Sequence, residues 1–326
     1  MPDLRVLEYS GIATSATIDG AVSGTGDDAS DPVVAVTTTT PDLMFAAVTA
    51  ATGCTGVGGG YRVRVFDDHA NTAQDLDATT PGTYSAGCHS AATQAWVAQV
   101  VAFRTAPTAR RSPYAIRQTG EDESDRGYAD LYGDQLAGDT MFVVVAWNEA
   151  GVTVTGVTDT AGNTYTPIVG FPGTYAGGTE VVAYYARDIL AEPAGALARV
   201  TAAFTPPLSP GFYGGVYAIE LAGVDRSAPF DGDAFQVCAG TTSCTSGMFA
   251  THFGPELLLT PDESSETMEA PLPGPGYGYM FLSSASSGSY TGTVVEFATE
   301  SSPGTFETSY QNTAAADWLQ SLFAFH

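Results

Sequence analysis

The chain has 326 residues, 44% of them hydrophobic, so it is long enough for one to three domains, each with a buried core. It carries 36 acidic residues against 11 basic ones, and all 11 are arginine. A formal net charge of −25 repels phosphate backbones and argues against a nucleic-acid partner. Only 14% of residues are charged, so Ser, Thr, Gly and Ala must supply much of the surface.

In chain order, short runs rich in Val, Thr, Tyr and Phe alternate with Gly and Pro, and helical periodicity is nearly absent. Strands are predicted at 33–39, 43–49, 61–66, 141–147, 152–158, 179–187, 197–204, 214–221, 277–283, 293–297 and 318–325. The expected fold is all-β, built from tandem antiparallel β-sandwich or jelly-roll repeats.

The repeat is visible directly. PGTYSAGCHSAATQAWVAQVVAFR at 81–104 returns ungapped as PGTFETSYQNTAAADWLQSLFAFH at 303–326, with seven of 24 positions identical, where roughly two would match by chance. Upstream, 4–11 corresponds to 216–223, Ile18-Asp19-Gly20 to Phe230-Asp231-Gly232, and Pro41-Asp42-Leu43 to Pro255-Glu256-Leu257. On this basis 1–107 is the second half of a unit and 113–326 is a full one, divisible into 113–215 and 216–326. Weaker echoes, such as Thr140–Trp147 against Asp42–Thr49, suggest three modules of ~100 residues, the size of an immunoglobulin-like domain.

Four cysteines fall as one pair per repeat, and disulfides Cys54–Cys88 and Cys238–Cys244 are expected, the second closing a small loop between strands. Disulfides imply a non-reducing compartment. No apolar run is long enough for a membrane span, and the first residues do not form a signal peptide. A start in mid-repeat is expected to reflect removal of an upstream part.

Motifs for chemistry are sparse. VTDTAGNTYT at 157–166 reads as a hairpin with an Asp-led turn, and Asp159 with Asn163 is too small a ligand set for Ca²⁺. Strand alternation puts Glu220, and its repeat partner Glu8, on an outer, solvated sheet face. The runs Glu121–Asp125 and Asp262-Glu263, Glu266, Glu269 read as solvated acidic loops. None of the four histidines (His69, His89, His252, His326) sits in a catalytic or metal-ligand spacing. Gly56–Gly60 lacks the Lys of a phosphate loop. Trp96 and Trp318 are expected in sandwich cores, and Tyr277 and Tyr279 are the better candidates for an exposed sugar-binding platform. No catalytic residue, metal site or cofactor is expected.

The DTAGNTYT segment, the Tyr184-Tyr185-Ala186-Arg187 strand, the E-x-x-G of Glu220–Gly223 (Glu8–Gly11 in the first copy) and Pro229-Phe230-Asp231 occur in order. Together they resemble β-sandwich repeats of large secreted or surface-exposed bacterial proteins, fully over about 137–326 and in part over 4–104. The resemblance implies an extracellular structural or adhesive module, part of a surface fibre or appendage, with no catalytic residues to carry over. Self-association through the sheet edges of the incomplete first unit is expected; surface glycans are the alternative partners, through a lectin-like jelly-roll module.

Overall fold

The computed structural model describes residues 7, 9, 11–29, 31–66, 71–90, 92–106, 114–122, 126–170, 174–175, 178–192, 196–264, 277–283 and 292–326. Among these residues there is no helix; the chain is a series of antiparallel sheets. All the predicted strands are found, with further ones between them.

The first sandwich contains β1 (Ile18–Ala29), β2 (Val33–Thr38), β3 (Asp42–Ala50), β4 (Gly56–Val57), β5 (Arg62–Phe66), β6 (Thr72–Ala78), β7 (Gly82–His89) and β8 (Gln94–Arg104). Its large sheet has the order β1-β8-β3-β6-β5, and β2-β7-β4 covers one face. Strand β2 alternates exposed and buried residues, as a strand with one face on a core must. Its core is small and aliphatic: Val34, Val36, Met44, Ala46, Val48, Ala98 and Val100.

The second sandwich contains β9 (Ala115–Asp122), β10 (Tyr128–Leu131), β11 (Thr140–Trp147), β12 (Thr153–Asp159), β13 (Thr166–Pro167), β14 (Thr174–Tyr175), β15 (Thr179–Ala186), β16 (Ala198–Thr205) and β17 (Gly214–Ala222). The third contains β18 (Phe230–Thr245), β19 (Phe249–Ala250), β20 (Glu256–Ser264), β21 (Gly278–Ser283), β22 (Gly292–Glu300), β23 (Thr305–Phe306) and β24 (Ser309–Phe325). Their large sheets run β9-β17-β11-β15-β13 and β18-β24-β20-β22-β21. All three large sheets therefore share one topology: first strand at the edge, last strand beside it, then the central strand. Residues 214–222 pair with β11 and β9, so a division at 215/216 runs through β17.

The second and third sandwiches stack in four layers. Sheet β10-β16-β12 packs on one face of the β11 sheet around Met141, Val143, Val145 and Trp147. The other face, with Phe142, Val144, Tyr217 and Ile219, packs on Leu257, Leu259, Leu319, Phe323 and Phe325 of the third sandwich. Phe142 sits 4.9 Å from Phe323 and 5.4 Å from Phe325, ring centre to ring centre. This explains the unbroken apolar run of β11, which is buried at every position because both its faces are covered. On the far side, β19-β23 closes the third sandwich with Phe249 and Phe306 over Leu258 and Leu322.

The disulfides Cys54–Cys88 and Cys238–Cys244 both form. The second differs from expectation in its setting. It lies inside the single long strand β18, across a shift in its pairing with β24, and not in a loop between strands. Trp318 is fully buried beside it, donating from Nε1 to the Thr241 carbonyl (2.8 Å). Trp96, its counterpart, is covered by the backbone of β1: a Cβ on Gly26 would lie 2.7 Å from the indole nitrogen.

Two outcomes follow. Phe142→Ala should cost about 3–5 kcal/mol and lower the melting of the second and third sandwiches together, since one core serves both; calorimetry resolves this. Removing Cys54–Cys88, with its separation of 34 residues, should cost about 3–4 kcal/mol, against about 2 for Cys238–Cys244 with 6, measured by denaturation of Cys→Ala pairs.

Candidate functional site

A charged residue at a strand irregularity recurs at one corner of each sandwich. In β1 the pairing with β8 skips Asp19, between Ile18 and Gly20. In β18 the pairing with β24 skips Asp231, between Phe230 and Gly232. In β9 the residue skipped opposite β17 is Arg117, between Ile116 and Gln118. A bulge re-aims the extra side chain, and here each one points to the end of the last strand or its neighbours. Asp19 takes Arg104 (Nε, 3.2 Å) and the Thr39 hydroxyl (2.7 Å). The Thr39 bonds, then Arg104, hold its carboxyl well below the usual range. Arg117 lies 3.8 Å from Glu220 and donates to Asp139. Asp231 accepts from the His252 backbone N–H (2.7 Å) and pairs with its Nδ1 (2.9 Å). Beside Asp231, the buried Glu256 is pushed up to about 7 by desolvation and then by the Asp231 charge.

Glu220 is fully buried, which corrects its expected outer, solvated position. Alternation does put it opposite Tyr217 and Ile219, but that face is covered by sheet β10-β16-β12. Gln118 Nε2 donates to its Oε2, and the Leu136 N–H donates to its Oε1 (2.9 Å). Gln118 in turn accepts from the Gly133 N–H (2.7 Å). Glu220 therefore pins the segment between β10 and β11. Desolvation pushes its carboxyl up to about 8 against these hydrogen bonds. Glu8 lies outside the described residues.

The DTAGNTYT motif is a structural turn but not a hairpin. β12 pairs with β16 and β13 pairs with β15, so the turn carries the chain from one sheet to the other. Asp159 holds it, accepting from the Asn163 N–H (2.9 Å), Asn163 Nδ2 (2.7 Å) and Tyr165 Oη (2.9 Å). Asn163 Oδ1 then accepts from the Leu190 N–H (2.8 Å). Every polar atom named here is committed to the fold.

The expected acidic loop at Asp262-Glu263 is a further correction: both residues lie in β20 and are buried, Asp262 completely. Asp262 faces the interior of the third sandwich with Thr260, Glu296 and Gln320, all fully buried. Gln320 Nε2 donates to Asp262 Oδ1 (2.6 Å), and Thr308 Oγ1 donates to Glu296 Oε2 (3.3 Å). Desolvation, then the nearby Glu296, raises the Asp262 carboxyl well above the ordinary range. Sequence alone pointed to loops here because four carboxylates within eight residues rarely enter a core. Glu266 and Glu269 lie outside the described residues, and of the Glu121–Asp125 run the first two residues are in β9.

The weak sugar-site candidates do not form a platform among the described residues. Tyr277 is half-buried and packs with Leu258, Ala298 and Phe306; burial raises its hydroxyl above the ordinary phenol range. The side chain of Tyr279 lies outside the described residues. His89 pairs with Asp31 (3.0 Å), and His326 stacks on Phe253 at 3.8 Å. Among the described residues, no three His, Cys, Asp or Glu side chains converge as a metal-binding group.

Glu220 gives a pH dependence of defined sign. Its folded pKa near 8 lies above the ordinary 4.5, so its stabilising contribution is complete below 4.5 and is lost as pH rises through 8. Stability should fall across that window by an amount on the order of 2–4 kcal/mol from this group. Glu220→Gln, which keeps an acceptor for Leu136, should reduce the slope; melting temperatures between pH 5 and 8.5 measure it. No family model matches the chain, and no curated protein or solved structure matches it either.

Proposed function

We propose that the chain is a non-catalytic extracellular structural repeat protein that self-associates through its first sandwich. The observation carrying this is the unequal covering of equivalent sheet faces. In the third sandwich the outer face of the large sheet, with Phe230, Leu319, Phe323 and Phe325, is buried against the β11 sheet. The corresponding residues of the first sandwich are Ile18, Val97, Val101 and Phe103. Ile18 is 57% exposed and Val97 46%, whereas Leu319 is 1% exposed. Tyr9 packs on Phe45 there, at 6.3 Å between ring centres, and bonds Asp75 (2.9 Å). The partner that suits this face is a sheet of the kind this chain already stacks on its third sandwich. A second copy offers the equivalent open face of its own first sandwich, its β11 sheet being covered on both sides already, and the edge strand β1 offers unpaired backbone beside the same face.

Two disulfides, Cys54–Cys88 buried and Cys238–Cys244 partly so, fit a non-reducing environment and support the extracellular reading. Among the described residues no helix is long and apolar enough to cross a membrane.

Light scattering and negative-stain microscopy of the full chain test it. Association should strengthen with salt, which screens a net charge of −25. It should be lost in Val97→Lys with Ile18→Lys, both exposed positions whose change leaves melting unaltered. A monomer at all concentrations and salts would overturn the proposal.

A further inference from the structure

The first and third sandwiches have the same topology but opposite interiors. Strand register fixes the correspondence. Ala46 pairs with Gln74 as Thr260 pairs with Glu296, and Val48 pairs with Ala98 where Asp262 stands opposite Gln320. In the first sandwich these positions hold Ala46, Val48, Ala98 and one amide, Gln74, which donates to the Gly87 carbonyl (2.8 Å). In the third they hold Thr260, Asp262, Gln320 and Glu296. Four oxygen-bearing side chains thus occupy neighbouring positions on three adjacent strands, all facing inward.

Burying carboxylates costs several kcal/mol each unless they are paired with a cation. Residues 227–326 contain no Lys and no Arg. His252 is held by Asp231 and is 70% exposed, and His326 stacks on Phe253, so neither is committed to this cluster. Among the described residues, Asp262 Oδ2, Thr260 Oγ1 and Gln320 Oε1 are fully buried without a hydrogen-bond partner. Hydrogen bonds within the cluster therefore leave a set of oxygen acceptors unused.

We propose that the interior of the third sandwich binds a hard divalent cation, calcium, through Asp262, Glu296, Thr260 and Gln320. Two carboxylates balance the ionic charge, a hydroxyl and an amide oxygen bring the protein donors to four, and bound waters would supply the rest of calcium's six to eight. Calcium accepts such irregular sets of protein oxygens, whereas magnesium holds to octahedral geometry and keeps its waters. The first sandwich, with alanine and valine at three of the four positions, binds none.

The test uses the full chain, stripped with EDTA and titrated with calcium chloride at neutral pH by calorimetry and thermal melting. Saturable binding of one ion, with a melting temperature that climbs with each tenfold rise in calcium, is expected. Asp262→Asn and Glu296→Gln should each weaken binding at least ~tenfold. The double variant Asp262→Val with Gln320→Ala, which installs the pair present in the first sandwich, should fold with or without calcium and bind none. The proposal is overturned if calcium gives neither heat nor a melting shift. A stability that responds to pH alone, with the double variant abolishing that response, would also overturn it and assign neutralisation to protons.

Discussion

A sheet has two faces, and an apolar face left in water is a liability; the architecture of this protein is set by how each face is covered. Three sheets of one topology meet three different fates. The β11 sheet is covered on both sides and becomes the middle layer of a stack. The β20 sheet is covered on one side by that layer and on the other by the short β19-β23 pair. The β3 sheet has β2-β7-β4 on its inner face and a partly open outer one. Side chains follow this inequality. Where the third sandwich places Phe297 against the shared core, the first places Asp75, which binds Arg62 and Arg64 at 2.6 Å each. Burial would raise the Asp75 carboxyl, but Arg64 and Arg62 outweigh it and hold it below its ordinary value. Arg64 also reaches the Ile116 carbonyl (3.1 Å), tying the first sandwich to the second.

Much of the fold was legible because strands announce themselves by alternation and turn residues, and duplication by a preserved offset. What alternation cannot state is which face is interior. For Glu220 it assigned the correct side of the strand, yet that side is covered by a sheet whose position no local pattern encodes. The DTAGNTYT turn was legible as a turn, with Asp159 and Gly162 (φ +80°) in fitting roles, but not as a passage between sheets. β1 was missed altogether, since glycine-rich IDGAVSGTGDDA lacks strand propensity. Gly24 and Gly26 lie against the Trp96 ring, a contact made across about 70 residues of chain, and Gly20 against Val36. Asp262 reads as a loop residue because clustered carboxylates rarely enter a core, and its burial in β20 depends on the sheets packed around it.

The difference between the first and third interiors is instructive about duplicated folds. The first sandwich keeps a small aliphatic interior and closes it with the Cys54–Cys88 bond. The third moved its disulfide to an edge strand, where Cys244 packs beside Tyr310 and Trp318. With Tyr310 standing where the first sandwich has Cys88, the two copies no longer depend on the same cross-link, and their interiors were free to differ.

The corner bulges have a consequence for how three similar modules avoid one another while folding. Tandem copies of one topology invite exchange of equivalent strands, a common failure of repeat proteins. In the first module the bulge is acidic and the last strand ends in Arg104; in the second the bulge is Arg117 and the last strand carries Glu220. A first strand docked on the wrong neighbour would set Asp19 against Glu220, or Arg117 against Arg104. Either mispairing forfeits the partners made within a module: Asp19 loses Arg104, and Arg117 loses Glu220 and Asp139. The exchange of acid and base between the first two modules thus favours pairing of each opening strand with the closing strand of its own module.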